Sequence, residues 1–212
     1  MSSRRLGDGG QAFPLYIVAV AALLFAALAF FVVGMAGATR SNAQGAADAA
    51  ALAAAREARD NLFLGLSVGS LKPGEWERLV RGDLLVSDGA CAKAVEFAAL
   101  NDAKADCDPA VPEFTVSVTT TRPVGSSVVA GSGDTYGKAS ATALIEPRCT
   151  LRSAPEPAPN PSPGSTATTS PSPSQVGGVT FACKGKTLTV DPSKPGPLRQ
   201  LARSLFVVRL VD

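Results

Sequence analysis

Four cysteines, Cys91, Cys107, Cys149 and Cys183, are the residues of this sequence best suited to covalent chemistry. An even count, with none in the apolar N-terminal block, reads as two disulfides formed in an oxidising compartment. No Cys-x-x-Cys pair occurs, so neither a thiol redox centre nor a zinc site is expected. Of the three possible connectivities, Cys91–Cys107 and Cys149–Cys183 suit the surrounding elements. The first ties the start of a helix to the loop after it, and the second closes the base of a Pro/Ser/Thr-rich loop. Histidine is absent altogether. That removes the commonest general base and metal ligand, so no Ser-His-Asp, Cys-His or zinc-histidine site can be assembled from this chain.

The acidic residues offer little more. Asp102, Asp106 and Asp108 cluster before Pro109 but lack the regular ligand spacing of calcium loops, and they read as turn residues beside a disulfide. Gly131-Ser132-Gly133-Asp134 has no Lys-Ser/Thr opening a helix, so it reads as a turn and not a phosphate loop. Glu75 and Glu77 lie two residues apart and point to different sides of a helix, which leaves no paired-carboxylate site. No catalytic residue, metal ligand or cofactor is expected, and the chain reads as a non-enzyme. With 20 basic and 18 acidic side chains in 212 residues, the net charge is +2. Nucleic-acid binders carry a larger basic excess, so no nucleic-acid partner is expected. The length allows one small domain with attachments, or two very small domains.

The elements that hold these residues begin with a membrane segment. No charged side chain falls between Asp8 and Arg40. Residues 13–38 are long and apolar enough for a transmembrane helix, with Pro14 in its first turn and Phe13 and Tyr16 at headgroup level. Arg4 and Arg5 mark residues 1–12 as a cytoplasmic tail and place everything after the span outside, in agreement with the cysteines. A cleaved secretory signal is the rival reading, since Ala36-Gly37-Ala38 matches a small-x-small site, but the apolar run is longer than a signal's. The lipid bilayer is therefore an expected partner, and the expected location is the cell membrane, single-pass.

Residues 39–63 are alanine-rich and predict a stalk helix continuing from the span. Gly34, Ala38, Gly45, Ala49 and Ala53 follow a small-xxx-small spacing or nearly so, which suits close helix packing and self-association through the Ala-rich helix. Composition bias and helix propensity account slightly better for any single alanine, whereas a packing face suits the helix as a whole. Asp48 is either an assembly contact that fixes register or a solvated residue. Residues 75–152 then read as an extracytoplasmic α+β domain. It holds a short helix at 75–81 and a second at 90–104 capped by Ser87 or Asp88, with Lys93, Glu96 and Lys104 on its solvated side. Strands follow at 114–119 and 140–145. Residues 153–177 are rich in proline, serine and threonine and predict a disordered insertion, either a plain linker or an O-glycosylated spacer. Residues 178–212 complete the domain with a hairpin about Lys184-Gly185-Lys186, a helical turn at 198–203 and a closing strand at 205–211. The expected fold is α+β: a transmembrane helix, an Ala-rich stalk, and a small disulfide-stapled domain on an antiparallel sheet.

One run is more specific than composition. Arg40, then Asn42-Ala43, then Gln44-Gly45-Ala46-Ala47-Asp48-Ala49-Ala50-Ala51-Leu52-Ala53, follow Gly9-Gly10-Gln11 and the span. This order resembles the N-terminal module of TadE/TadG-like proteins of the Flp (tight adherence) pilus assembly system. In that family an arginine after the span leads into a QxAADAAALA-like helix. The unit from Cys91 to Cys107, with Ala98-Ala99-Leu100-Asn101-Asp102, looks like that of secreted actinobacterial members. The resemblance covers residues 1–60 well and 90–120 loosely. It implies a membrane-anchored accessory protein of pilus assembly or secretion, with other pilus-assembly membrane proteins as partners. Pilin-like members place a glutamate five residues after a glycine cleavage site, whereas here Leu15 holds that place after Gly10. A minor pilin or pseudopilin built into the appendage is therefore the alternative.

Overall fold

The computed structural model describes residues 12–123, 134–154 and 178–211. Most of the expected cytoplasmic tail, all but the first two residues of the 153–177 insertion, and the expected turn at Gly131-Ser132-Gly133 lie outside the described residues. In chain order the elements are α1 (Ala12–Asp60), α2 (Pro73–Arg81), α3 (Ala90–Leu100), β1 (Ala103–Ala110), β2 (Glu113–Pro123) and β3 (Tyr136–Pro147). After them come β4 (Cys149–Ser153), β5 (Val179–Cys183), β6 (Lys186–Val190), α4 (Leu198–Leu205) and β7 (Phe206–Val211).

α1 is one helix of 49 residues. No proline follows Pro14 inside it, so its hydrogen-bond ladder is unbroken and its length is about 74 Å. The first half is uncovered by the other described residues, with Phe13 70% and Phe30 80% exposed. It is long and apolar enough to cross a membrane. The second half differs from the expected free-standing stalk. Ala43, Ala47, Ala50, Ala54 and Ala58 are fully buried. Their spacing of three and four residues sets them on one helix face, which is the spine of the domain.

Two layers flank that spine. α3 runs back along α1: Asn61 Nδ2 donates to the Asp88 carbonyl near its start (3.4 Å), and Leu100 and Asn101 at its end lie by Ser41, Asn42 and Gly45. Ala90, Ala94 and Ala98, four residues apart, are its buried face. The second layer is the antiparallel sheet β1-β2-β3-β7. Its inner face pairs Phe114 with Ala143 and Val116 with Ala141, all at most 9% exposed. Outward, Thr115 and Thr142 share a hydroxyl hydrogen bond of 2.9 Å. β3 meets the helix through small residues only along Gly137, Ala139, Ala141 and Ala143. At Gly137 a Cβ would lie 2.9 Å from both Cγ2 and the carbonyl oxygen of Thr39. Small residues on both sides let strand and helix backbones approach this closely.

The remaining strands form a second sheet, β4-β5-β6, where one sheet was expected. It closes the far end of the core with α2. Trp76 meets Phe181 edge-on at 5.8 Å between ring centres, and Leu62, Leu79 and Phe206 are buried in the same core. β5 and β6 form the expected hairpin, with Gly185 at φ 85° in its turn.

Three local expectations change. α3 stops at Leu100, short of Lys104, because Asp102 adopts a left-handed conformation (φ 53°) and Asn101 Nδ2 turns back onto the Phe97 carbonyl (2.8 Å). Its N-cap is Gly89, with no side-chain cap bond from Ser87 or Asp88. The aspartate cluster is not a loop: Asp106 and Asp108 sit in β1, on its exposed side. An edge strand tolerates the outward acids and Pro109 there.

Candidate functional site: the two faces of the anchor helix

Both disulfides form as paired from the sequence, Cys91–Cys107 and Cys149–Cys183. The first joins α3 to β1. The second joins β4 to β5 at directly opposed positions, beneath the ends of the 153–177 segment. Burial of Cys149 at 4% suits a structural bond better than a reactive one.

The residues singled out for helix packing divide by face. At 100° per residue, Gly34, Ala38, Gly45 and Ala49 fall within one narrow stripe, opposite the buried face of Ala43, Ala47, Ala50 and Ala54. Gly34, Ala38 and Gly45 are exposed, while Ala49 is half-buried. A Cβ at Gly34, Gly37 or Gly45 would meet nothing within 4 Å. Ala53 lies outside the stripe and is 6% exposed in the chain's own core. Asp48 is half-buried beside the stripe and accepts a hydrogen bond from Gln44 Nε2 (2.8 Å). Gln44 Nε2 also reaches the Ser140 carbonyl of β3 at 3.5 Å. α1 thus uses one face to build the domain and leaves a small-residue face uncovered from the membrane segment into the head.

Polar contacts lock the helix to the head at its far end. Asp60, whose side chain is 10% exposed, pairs with Arg203 of α4 (2.5 Å) and with Arg59 (2.8 Å). Burial alone would raise the Asp60 carboxyl, but the hydrogen bonds and charges of Arg203 and Arg59 outweigh it and hold the group below the usual carboxylate range. Arg209 makes two hydrogen bonds to Glu146 across β3 and β7 (2.8 and 2.7 Å) and lowers its carboxyl. Asp102 pairs with Arg122 at 2.7 Å. Glu75 caps α2 at the Lys72 amide (2.8 Å), and Glu77 pairs with Arg81. These carboxylates are engaged in holding structure. Among the described residues, no group of three or more His, Cys, Asp or Glu side chains could hold a metal ion.

Two positions with clear geometric roles, Thr39 and Gly137, were not singled out by sequence reasoning. The available signal was the alternation Gly137-Lys138-Ala139-Ser140-Ala141-Thr142-Ala143, whose inner members are all small and match an alanine helix.

The architecture fits a single-span membrane protein: an N-terminal helix long and apolar enough to cross a membrane continues as the core of a disulfide-stapled α+β head. Residues 10–57, the span and most of the spine, match the Tad family, described as "Putative Flp pilus-assembly TadE/G-like". The anchor helix is thus similar to that of TadE/G-like proteins, which supports involvement of the chain in Flp pilus assembly. No curated protein and no solved structure matches it significantly.

Proposed function

We propose that the protein is a membrane-retained, non-enzymatic accessory protein of Flp-type pilus assembly, with its N-terminus cytoplasmic and its head outside. It acts by packing its anchor helix against the helices of other pilus-assembly membrane proteins while the head offers an interaction surface. The observation that carries this reading is the division of α1 into two faces. One face is consumed by the chain's own core, and the opposite one, through Gly34, Ala38 and Gly45, stays uncovered and small enough for a second helix to approach closely, with Ala49 half-buried at its end. Arg4 and Arg5 before the span support the orientation, as do the two disulfides after it. The test is affinity purification of the detergent-solubilised chain from its native membranes, with Gly34→Leu/Ala38→Leu as the comparison. Enrichment of pilus-system membrane proteins with the unaltered chain, lost in the variant, is the expected result. Equal recovery with both would refute packing through this face. Recovery of the chain in sheared appendages with a shortened N-terminus would favour a pilin instead.

A further inference from the structure

The head has no spacer between itself and the end of the apolar run. The run from 13 to 38 is roughly 26 residues, or about 39 Å of helix, against about 30 Å of hydrocarbon and 40–45 Å with headgroups. Thr39 follows it directly, and Thr39 is the residue against which Gly137 of β3 is pressed. Gly137 in turn accepts no Cβ because of Thr120 of β2 as well, and its amide donates to Thr120 Oγ1 (3.0 Å). The base row of the sheet is therefore clamped to α1 at headgroup level.

Two large apolar side chains stand on that base. Leu100, at the end of α3 that returns to the start of the spine, is 73% exposed, and Tyr136, at the start of β3, is 43% exposed. Cations surround them. Arg40 is the first charge after the span, and Arg122 is the last charge of β2. Lys104 and Lys138 flank Thr119 from both sides in register. The nearby acids are Asp102, which is paired with Arg122, together with Asp134 and Asp106, so the base carries positive charge overall.

The geometry points to a second membrane contact besides the span: the base of the head lies on the bilayer surface, with Leu100 and Tyr136 in the interfacial layer and Arg40, Lys104, Arg122 and Lys138 toward anionic headgroups. This rests on the membrane-anchored reading of α1.

The experiment uses the full chain reconstituted into phosphatidylcholine–phosphatidylglycerol vesicles, with lipids brominated near the headgroup end of their acyl chains as quencher. Leu100→Trp places a reporter on the base. Leu64→Trp, an equally exposed site just past the far end of α1 (72%), and the native buried Trp76 are the references. Flotation with the vesicles checks the anchor itself. The expected result is that the Leu100→Trp emission shifts to the blue and loses at least half its intensity, while the references are unchanged. Lys104→Glu/Lys138→Glu in the Leu100→Trp background reduces that quenching. A chain that floats but shows Leu100→Trp quenched no more than Leu64→Trp overturns the surface contact and leaves the anchor standing. A blue shift without quenching, as from a second copy of the chain, overturns it too. A chain that fails to float overturns both readings.

Discussion

Replacing Gly137 by alanine tests whether the helix and sheet meet as closely as described. The added methyl would lie 2.9 Å from Thr39 Cγ2 and from the Thr39 carbonyl oxygen, and 3.2 Å from Thr120 Cγ2. Side chains can rotate away, but the carbonyl belongs to a helix that is fixed along its length, so β3 or α1 must shift. Overpacking of this kind costs about 1–3 kcal/mol. For a protein of this size that corresponds to a fall in Tm of about 2–12 °C. The assay is thermal unfolding of the oxidised, detergent-solubilised chain. Gly45→Ala is the matched control, since the same methyl there meets nothing within 4 Å. In a helix interior it gains up to about 1 kcal/mol of propensity. The two glycine-to-alanine changes should therefore move Tm in opposite directions. An unchanged Tm in Gly137→Ala would refute the close approach, and with it the clamp that holds the base of the head to the membrane end of α1.

Removing the Cys149–Cys183 bond, with a sequence separation of 34, should cost about 4 kcal/mol in the chain-entropy account, and removing Cys91–Cys107, with a separation of 16, about 3 kcal/mol. Denaturant unfolding of the paired Cys→Ala variants measures both. Acid should loosen the lock between α1 and α4. The Asp60 carboxyl is lowered in the folded state, so its contribution is complete above the unfolded value near pH 4 and is lost as pH falls through the lower folded value. Asp60→Asn should lower stability at neutral pH and flatten the acid limb of Tm against pH, and an unchanged limb would remove Asp60 from that role. Gly34→Leu/Ala38→Leu should leave Tm within error, because both positions are uncovered. A large loss of Tm would mean that this face packs inside the protomer.

Much of the fold is legible in the sequence because local signals agree with the final packing. The apolar run and the alanine run are both unbroken by proline after Pro14, so one long helix follows. The alternation about Phe114, Val116 and Val118 gives β2, and Lys184-Gly185-Lys186 gives the hairpin. The disulfide pairing is legible because Cys91 and Cys107 bracket one helix and Cys149 and Cys183 bracket the Pro/Ser/Thr-rich insertion. Other features depend on tertiary partners that no local pattern names. Alanine states helix but not what covers it, so the spine reads as a stalk until the Gly/Ala face of β3 is laid against it. β1 is hidden because Asp106, Asp108 and Pro109 oppose strand formation, and only an edge position accommodates them. Its inward members Ala103, Ala105 and Cys107 do alternate correctly. The packing stripe is partly legible: the spacing of Gly34, Ala38, Gly45 and Ala49 keeps phase with the helix, whereas Ala53 has drifted around to the side of the core.

Because α1 passes from lipid into the head with no joint, the head inherits the attitude of the span. The part from 39 to 60 is about 33 Å long at 1.5 Å per residue, so an ordinary tilt of about 20° swings the far end sideways by about 11 Å. The second sheet and the Asp60–Arg203 lock ride at the tip of this lever arm. A thicker or thinner bilayer, or a neighbour that straightens the span, would thus steer that tip across the membrane surface without deforming the domain.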